Sequence, residues 1–95
     1  MLKLNTEVNE LMQIFVLRTD SKTADSILVD MVYDEMTKKL ELKRRQGRGG
    51  WNGANCDNAL LLGMLKDNVE KGDMIDVINL AAMILARQKL YGETA

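Results

Sequence analysis

Residues 71–90 constrain the fold of this chain more than any other segment. Residues 77–86 are apolar except for Asn79, and a helix that is apolar on nearly every side has to be surrounded by other elements. The apolar run is shorter than the roughly 20 residues that a membrane-spanning helix needs, and Arg87 and Lys89 follow it closely. We therefore predict a central core helix that the other segments of the chain surround.

Three further segments have the spacing of amphipathic helices. In residues 5–18, 24–46 and 58–70, apolar residues recur at steps of three and four, which places them on one side of a helix. The side chains predicted to face the core are Val8, Leu11, Met12 and Phe15 in the first segment, Ala24, Ile27, Leu28, Met31, Val32, Met36 and Leu40 in the second, and Leu60, Leu61, Met64, Leu65 and Val69 in the third. With the central helix, these segments make four helices.

Capping residues mark the predicted helix ends. Asn5 or Thr6 suits the N-terminus of the first helix, and Asp57 that of the third. Gly72 suits the C-terminus of the third helix, and Asp73 suits the N-terminus of the central one. Because only about two residues then separate these two helices, we predict a tight αα-hairpin.

Two small residues of the third helical segment also carry predictions. Gly63 lies in mid-helix, where glycine costs about 1 kcal/mol relative to alanine, and we expect a close helix crossing there. Cys56 is the only cysteine, so it cannot form an internal disulfide and suits a reducing cytosol. We expect it to pack as a small apolar side chain beside the helix cap.

These elements predict an all-α protein, a small four-helix bundle with a C-terminal αα-hairpin, in a single domain over residues 1–95. The first helix and its linker occupy residues 1–23, and the core occupies residues 24–90 with a glycine-rich loop at 47–55. A chain this short buries only about two-thirds of its extended surface, so association with a second copy adds stability. Because the first helix has surplus apolar side chains, we predict a homodimer through the first and central helices; burial of that surplus in the chain's own core is the alternative.

The composition argues against several functional classes. The chain contains no histidine, which removes the usual general base near neutral pH, histidine-based catalytic triads and most zinc sites. Its net charge is −1, so no overall field attracts nucleic acid, and nucleic-acid binding through residues 38–48 is a minor alternative. The N-terminal residues lack the apolar run of a signal peptide, and we expect a cytoplasmic protein without membrane association.

Residues 44–51 are the predicted binding surface. Arg44, Arg45, Arg48 and Trp51, which we name the arginine–tryptophan lip, are of the types that often anchor protein interfaces. Arginine beside glycine amides also suits an anion. We predict that the lip contacts a partner protein or an anion. The alternative is structural, because basic residues complement the dipole at a helix C-terminus and Trp51 then closes the end of the helical core.

Four carboxylates lie three residues apart across the predicted hairpin: Asp67, Glu70, Asp73 and Asp76. Because the chain reverses at Gly72, the first acid comes level with the last, and the two middle acids come level with each other. Oxygen ligands of this kind suit Mg²⁺, so these acids are the predicted metal ligands if the protein is an enzyme. The alternative needs no metal, since Asp73 is a cap, Asp76 suits a first helical turn and Glu70 lies on the exposed tip.

Two motifs carry a resemblance to known proteins. The GRGGW segment at residues 47–51 and the VEKGD..DV segment at residues 69–77 are similar to a group of small phage-encoded accessory proteins. The order of a basic helix end, a GGW turn, a leucine-rich helix and an apolar helix with an acidic start also resembles MazG-like nucleoside triphosphate pyrophosphatases. Those enzymes are all-helical oligomers that hold magnesium on an ExxE helix and an ExxD helix. The residues that stand for these pairs are Asp67 with Glu70, and Asp73 with Asp76.

Two functions from different classes follow. We expect a non-enzymatic phage accessory protein that binds a host or defence-system protein in the host cytosol, with an anti-CRISPR or other anti-defence inhibitor as the sharper form. This function needs no cofactor. The alternative is a magnesium-dependent MazG-like pyrophosphatase or a nucleotide-binding relic. In that case the four acids hold Mg²⁺ and the arginine–tryptophan lip holds phosphates.

Overall fold

The computed structural model describes residues 2–94 and the side chains of residues 9–94, and all regular structure in this part of the chain is helical. The helices, in chain order, are α1 (Leu2–Arg18), α2 (Ser21–Arg45), α3 (Asn58–Lys71) and α4 (Met74–Tyr91). The predicted all-α class with four helices is therefore confirmed. Over the same residues, no helix combines the length and the apolar character that crossing a lipid bilayer requires.

Local hydrogen bonds set the ends of the two C-terminal helices. Gly72 ends α3 with a φ of 75°, a left-handed conformation that favours glycine, and the next amide, that of Asp73, donates to the carbonyl of Asn68 at 3.0 Å. The carboxylate of Asp73 accepts from the amide of Asp76 at 3.0 Å, and that of Asp57 accepts from an amide in the first turn of α3 at 2.8 Å. The three predicted caps and the αα-hairpin are confirmed.

The N-terminal helices depart from the predicted boundaries. α1 begins three residues before Asn5, so Asn5 and Thr6 lie inside the helix and do not cap it. The side chains of these two residues and of Val8, which was predicted to face the core, lie outside the described residues. α2 begins three residues earlier than predicted, because the carboxylate of Asp20 accepts from the amide of Thr23 at 2.8 Å and caps the helix there.

The chain divides into two compact units, Met1–Tyr33 and Asp34–Ala95. The division falls inside α2. The polar linker predicted between the first two helices, at residues 19–23, is shorter in the structure, because only two residues separate α1 from α2. The single-domain organisation of residues 1–95 stays a prediction.

In the first unit, no described side chain is buried. Its exposed large apolar side chains are Leu11, Met12, Ile14, Phe15, Leu17, Leu28, Val29, Met31 and Tyr33. The inward orientation predicted for Leu11, Met12, Phe15, Leu28 and Met31 is therefore wrong for the chain taken by itself. The apolar spacing identified the helices correctly, but spacing alone does not say whether a neighbouring element covers the apolar side.

In the second unit, the core lies between α3 and α4. Leu61 from α3 and Leu80 and Ile84 from α4 are buried together. The partly buried side chains that pack against this cluster are Cys56, Leu62, Leu65 and Met83. The prediction that Cys56 packs as a small apolar side chain beside the cap of α3 is confirmed.

α4 is buried on one side only, so the prediction of a surrounded helix is wrong for the isolated chain. Its buried residues are Asp76, Asn79, Leu80, Ile84 and Arg87. Leu85 is 52% exposed and Met74 is half-exposed. The sequence is apolar all round in this segment, so it gave no indication of which side faces inward. Three polar residues of α4, Asp76, Asn79 and Arg87, lie on the inward side together with Leu80 and Ile84.

α3 is rotated relative to its predicted orientation. Leu61 and Leu65 face the core as predicted, but Leu60, Met64 and Val69 are exposed. The close helix crossing predicted at Gly63 is wrong within the chain, because nothing lies within 4 Å of the position that a Cβ atom would take there. The inward side of α3 is completed instead by its first residue, the buried Asn58.

The packing predicts unequal effects of two leucine truncations in α4. Leu80 is 6% exposed, and Leu80→Ala should lower the free energy of unfolding by about 2–4 kcal/mol, since it leaves a cavity in the core. Leu85→Ala, in the same helix, should change it by less than about 0.5 kcal/mol. Urea unfolding followed by circular dichroism at the lowest workable protein concentration measures both. Equal losses would contradict the burial described for α4.

Candidate functional site

Arg87 connects the C-terminal part of α4 to the glycine-rich loop. Its side chain is 5% exposed, and its guanidinium donates to the carbonyls of Trp51 and Gly53, the latter at 3.1 Å. It also donates to the carboxylate of Glu93 and lies 5.0 Å from the ring centroid of Tyr91. Hydrogen bonding to Glu93 raises the pKa of Arg87 above its ordinary value, so the buried group stays charged.

The loop at residues 47–55 is ordered by these bonds and by its own turns. The hydroxyl of Tyr91 donates to the carbonyl of Asn52 at 3.1 Å, so three consecutive loop carbonyls, at residues 51–53, accept hydrogen bonds from α4. Gly47 and Gly50 have φ values of 72° and 91°, which other residues adopt only with strain. The loop is therefore a defined surface element whose carbonyls point towards α4.

The arginine–tryptophan lip occupies the end of α2 and the first part of this loop. Arg44, Arg45 and Arg48 are exposed, and Trp51 is half-buried. Arg45 forms an ion pair of 2.8 Å with Glu41, one helical turn away. The structure agrees with both interpretations of the lip. Basic residues lie in the last turn of α2, where they complement the helix dipole. The arginine side chains are also exposed, so another molecule can contact them.

Two lysines of α2 bind the two acids at the start of α4. The Nζ atom of Lys39 lies 3.4 Å from Oδ2 of Asp73 and 3.9 Å from Oδ1 of Asp76. The Nζ atom of Lys43 lies 3.1 Å from Oδ2 of Asp76, whose side chain is largely buried. We name these four residues the lysine–aspartate clamp. It fastens the second half of α2 to the N-terminal end of α4.

The clamp changes the interpretation of the four predicted metal ligands. Asp73 and Asp76 lie together, but Asp67 and Glu70 are exposed on α3. Within the described part of the chain, no three acids, cysteines or histidines are close enough together to hold a metal ion. The ammonium groups of the clamp already neutralise the two acids that do meet. The carboxylate set therefore does not fit Mg²⁺, and no catalytic step can be derived through it.

A half-open apolar cavity of about 200 Å³ lies between the second half of α2 and α4. Its walls are formed by Met36, Leu40, Trp51, Asn79, Ala82, Met83 and Ala86. The contact of Trp51 with this space agrees with the predicted role of closing the end of the helical core, although the closure is incomplete. The sequence did not predict the cavity, because its walls come from three separate segments.

Two buried asparagines have unsatisfied oxygen atoms. Asn79, on the cavity wall, is 4% exposed, and its Oδ1 has no hydrogen-bond partner among the described residues. Asn58 donates to the carbonyl of Ile84 at 3.5 Å, and its Oδ1 also lacks a partner there. Native proteins leave few such groups unpaired. The only sequence signal for Asn79 was its place as the single polar residue in an apolar run.

The bonds of Asp73, first the cap to the Asp76 amide and then the contact with Lys39, predict a pH dependence of stability that Asp73→Asn reduces. Bonding to the amide of Asp76, and then to Lys39, lowers the pKa of Asp73 below its ordinary value. Because the unfolded state binds the proton more tightly, this contribution is fully present above about pH 4 and is lost as the pH falls through the lower folded pKa. Asparagine still caps a helix but does not titrate in this range.

Thermal unfolding between neutral and strongly acidic pH tests this prediction. The melting temperature of Asp73→Asn should fall less steeply than that of wild type below about pH 4. Asp73→Ala, which removes the cap as well, should be less stable than Asp73→Asn at neutral pH. Parallel melting curves for wild type and Asp73→Asn across the whole range would contradict the lowered pKa of Asp73.

The chain matches no protein-family model, no curated protein and no solved structure. The similarity to phage accessory proteins and to MazG-like enzymes therefore stays an interpretation of the sequence motifs.

Proposed function

We propose that this protein is a non-enzymatic accessory protein that acts by binding another protein. The observation that carries the proposal is the distribution of apolar side chains. Among the described residues, seventeen large apolar side chains are exposed and only three apolar side chains are buried. Large exposed apolar areas on a folded protein are typical of sites that another protein covers.

The arginine–tryptophan lip is the proposed contact surface for the partner. Its arginines are exposed, and arginine and tryptophan are over-represented among residues that dominate binding energy. The loop that carries Arg48 and Trp51 is held by Arg87 and Tyr91. A loop that is already ordered loses less conformational entropy on binding, which favours this segment over the chain termini as a recognition surface.

The partner in this proposal is a host or defence-system protein, and the sharper form is an anti-CRISPR or other anti-defence inhibitor of phage origin. This part rests on the sequence resemblance at residues 47–51 and 69–77. The place of action would then be the host cytosol. The lysine pairing of Asp73 and Asp76 favours this class of function over the magnesium-dependent alternative.

We also propose that the protein works as a homodimer through α1 and α4. In α4, Met74, Ile78, Ala81 and Leu85 follow one another at steps of four, three and four, so they share one side of the helix. None of the four is buried within the chain. In α1, Leu11, Ile14, Phe15 and Leu17 are also exposed. Two copies that bury such surfaces against each other gain the apolar burial that the single chain lacks.

Affinity capture from bacterial lysate tests the partner surface. Immobilised wild type and the control Lys66→Ala, an exposed basic residue of α3, should enrich the same protein. Arg48→Ala and Trp51→Ala should reduce its recovery by about tenfold or more, the loss expected for interface anchors. If wild type enriches nothing beyond the two lip variants, the proposed binding function is wrong.

Sedimentation velocity at micromolar concentration tests the homodimer. Wild type should sediment as a dimer, and Leu85→Glu should weaken self-association by at least about tenfold, since it places a charge inside an apolar contact. Val69→Glu is the matched control, because Val69 is also half-exposed but lies on α3. If wild type sediments as a monomer, the proposed homodimer is wrong. If the two substitutions weaken self-association equally, the proposed contact through α4 is wrong.

A further inference from the structure

A short segment follows α4 and turns back along it. α4 ends at Tyr91, and Gly92 has a φ of 68°, a left-handed conformation that glycine adopts without the strain other residues incur. The amide of Gly92 donates to the carbonyl of Gln88 at 3.1 Å. This turn brings the next side chain, that of Glu93, back beside Arg87. We name residues 92 and 93 the strap.

The strap supplies the carboxylate that compensates the buried guanidinium. Nε and Nη2 of Arg87 donate to the two carboxylate oxygens of Glu93, the second at 3.0 Å. The remaining nitrogen, Nη1, donates to the carbonyls of Trp51 and Gly53. Arginine presents its donors in one rigid plane, so the position of the guanidinium that serves the carboxylate also serves the loop. Glu93 therefore acts on the glycine-rich loop through Arg87.

Opening of the strap would leave the guanidinium of Arg87 buried without its counter-charge. A buried charge that loses its partner is strongly destabilised, and this side chain is almost fully buried. The guanidinium regains hydration only by turning out to solvent, which breaks its two bonds to the loop carbonyls. The loop then keeps the bond from Tyr91 to the carbonyl of Asn52 and its own turns. The order of the loop therefore depends on where Glu93 lies.

We infer that the strap is a hinged switch that takes the glycine-rich loop between an ordered and a released state. Gly92 is the hinge, because glycine adopts positive and negative φ about equally readily. With the strap closed, Arg87 holds the segment that carries Arg48 and Trp51; with the strap open, that segment is released. The inference concerns the order of the loop, so it does not depend on the proposed function. A partner that requires the ordered lip would bind more tightly with the strap closed.

Limited trypsin digestion, with the cleavage sites identified by mass spectrometry, tests the inference. Cleavage after Arg48 reports release of the loop, and cleavage after Lys66, in α3, reports opening of the helical core, because a protease cuts the transiently open state. Gly92→Ala leaves Arg87, Glu93 and the loop unaltered but disfavours the left-handed conformation, so cleavage after Arg48 should accelerate about fivefold or more. Cleavage after Lys66 should change by less than about twofold, since the released region is local.

Two further variants complete the experiment. Glu93→Gln keeps the size of the side chain but removes its charge, and should accelerate cleavage after Arg48 about tenfold or more. Gly63→Ala is the matched control, because a Cβ atom at this helical position meets open space, and it should not accelerate that cleavage. An unchanged rate after Arg48 in either strap variant would overturn the switch. Equal acceleration after Arg48 and Lys66 would also overturn it, since the strap would then contribute only to overall stability. The digestion involves no partner, so a failed capture experiment leaves its result intact.

Discussion

The buried guanidinium of Arg87 is the interaction on which the second unit depends. A buried charge is costly unless its hydrogen bonds are satisfied, and here two loop carbonyls and the carboxylate of Glu93 satisfy it. The same bonds fix the loop that carries Trp51. Without them, the glycine-rich segment would keep only the bond from Tyr91 of α4, and the position of Trp51 at the edge of the cavity would be less defined.

α4 departs from an ordinary amphipathic helix, because polar and apolar residues share its buried side. Asp76, Asn79 and Arg87 lie on its buried side, whereas Met74 and Leu85 lie on its exposed side. The buried ionic groups are tolerated because partners from α2 and from the loop meet them. The interior of the unit therefore depends on specific polar contacts as well as on apolar packing, and apolar side chains remain outside. That combination is what motivates the proposed association with another protein chain.

Local features of the fold could be read from the sequence, because local residues determine them. Asp57, Gly72 and Asp73 set helix ends through bonds to residues within five positions, and the hairpin follows from their spacing. Orientation was less predictable. A helix that is apolar on every side has no apolar stripe to define its inward side, so the exposure of Leu85 could not be foreseen, and Gly63 was assigned a packing role that the chain itself does not provide.

The candidate site was only partly predictable for a different reason. The spacing of the acids across the hairpin was correct, but their chemistry is decided by Lys39 and Lys43, more than 30 residues earlier in the chain. No periodicity connects such distant positions. Arg87 was interpreted as the end of an apolar run, although its step of three from Ile84 places it on the same side of the helix. That step was the one sequence signal for its inward position.

The clamp and the guanidinium hold α4 at two places eleven residues apart, Asp76 and Arg87, which is about 16 Å along the helix axis. Of the two, only the clamp joins α4 to α2, whereas Arg87 joins α4 to the glycine-rich loop. Between these two places, the cavity beside α4 is lined mainly by methionine, leucine and alanine side chains, together with Trp51 and Asn79. Methionine changes rotamer easily. The methionine side chains that line the cavity can therefore repack while the bonds of Asp76 and Arg87 stay intact.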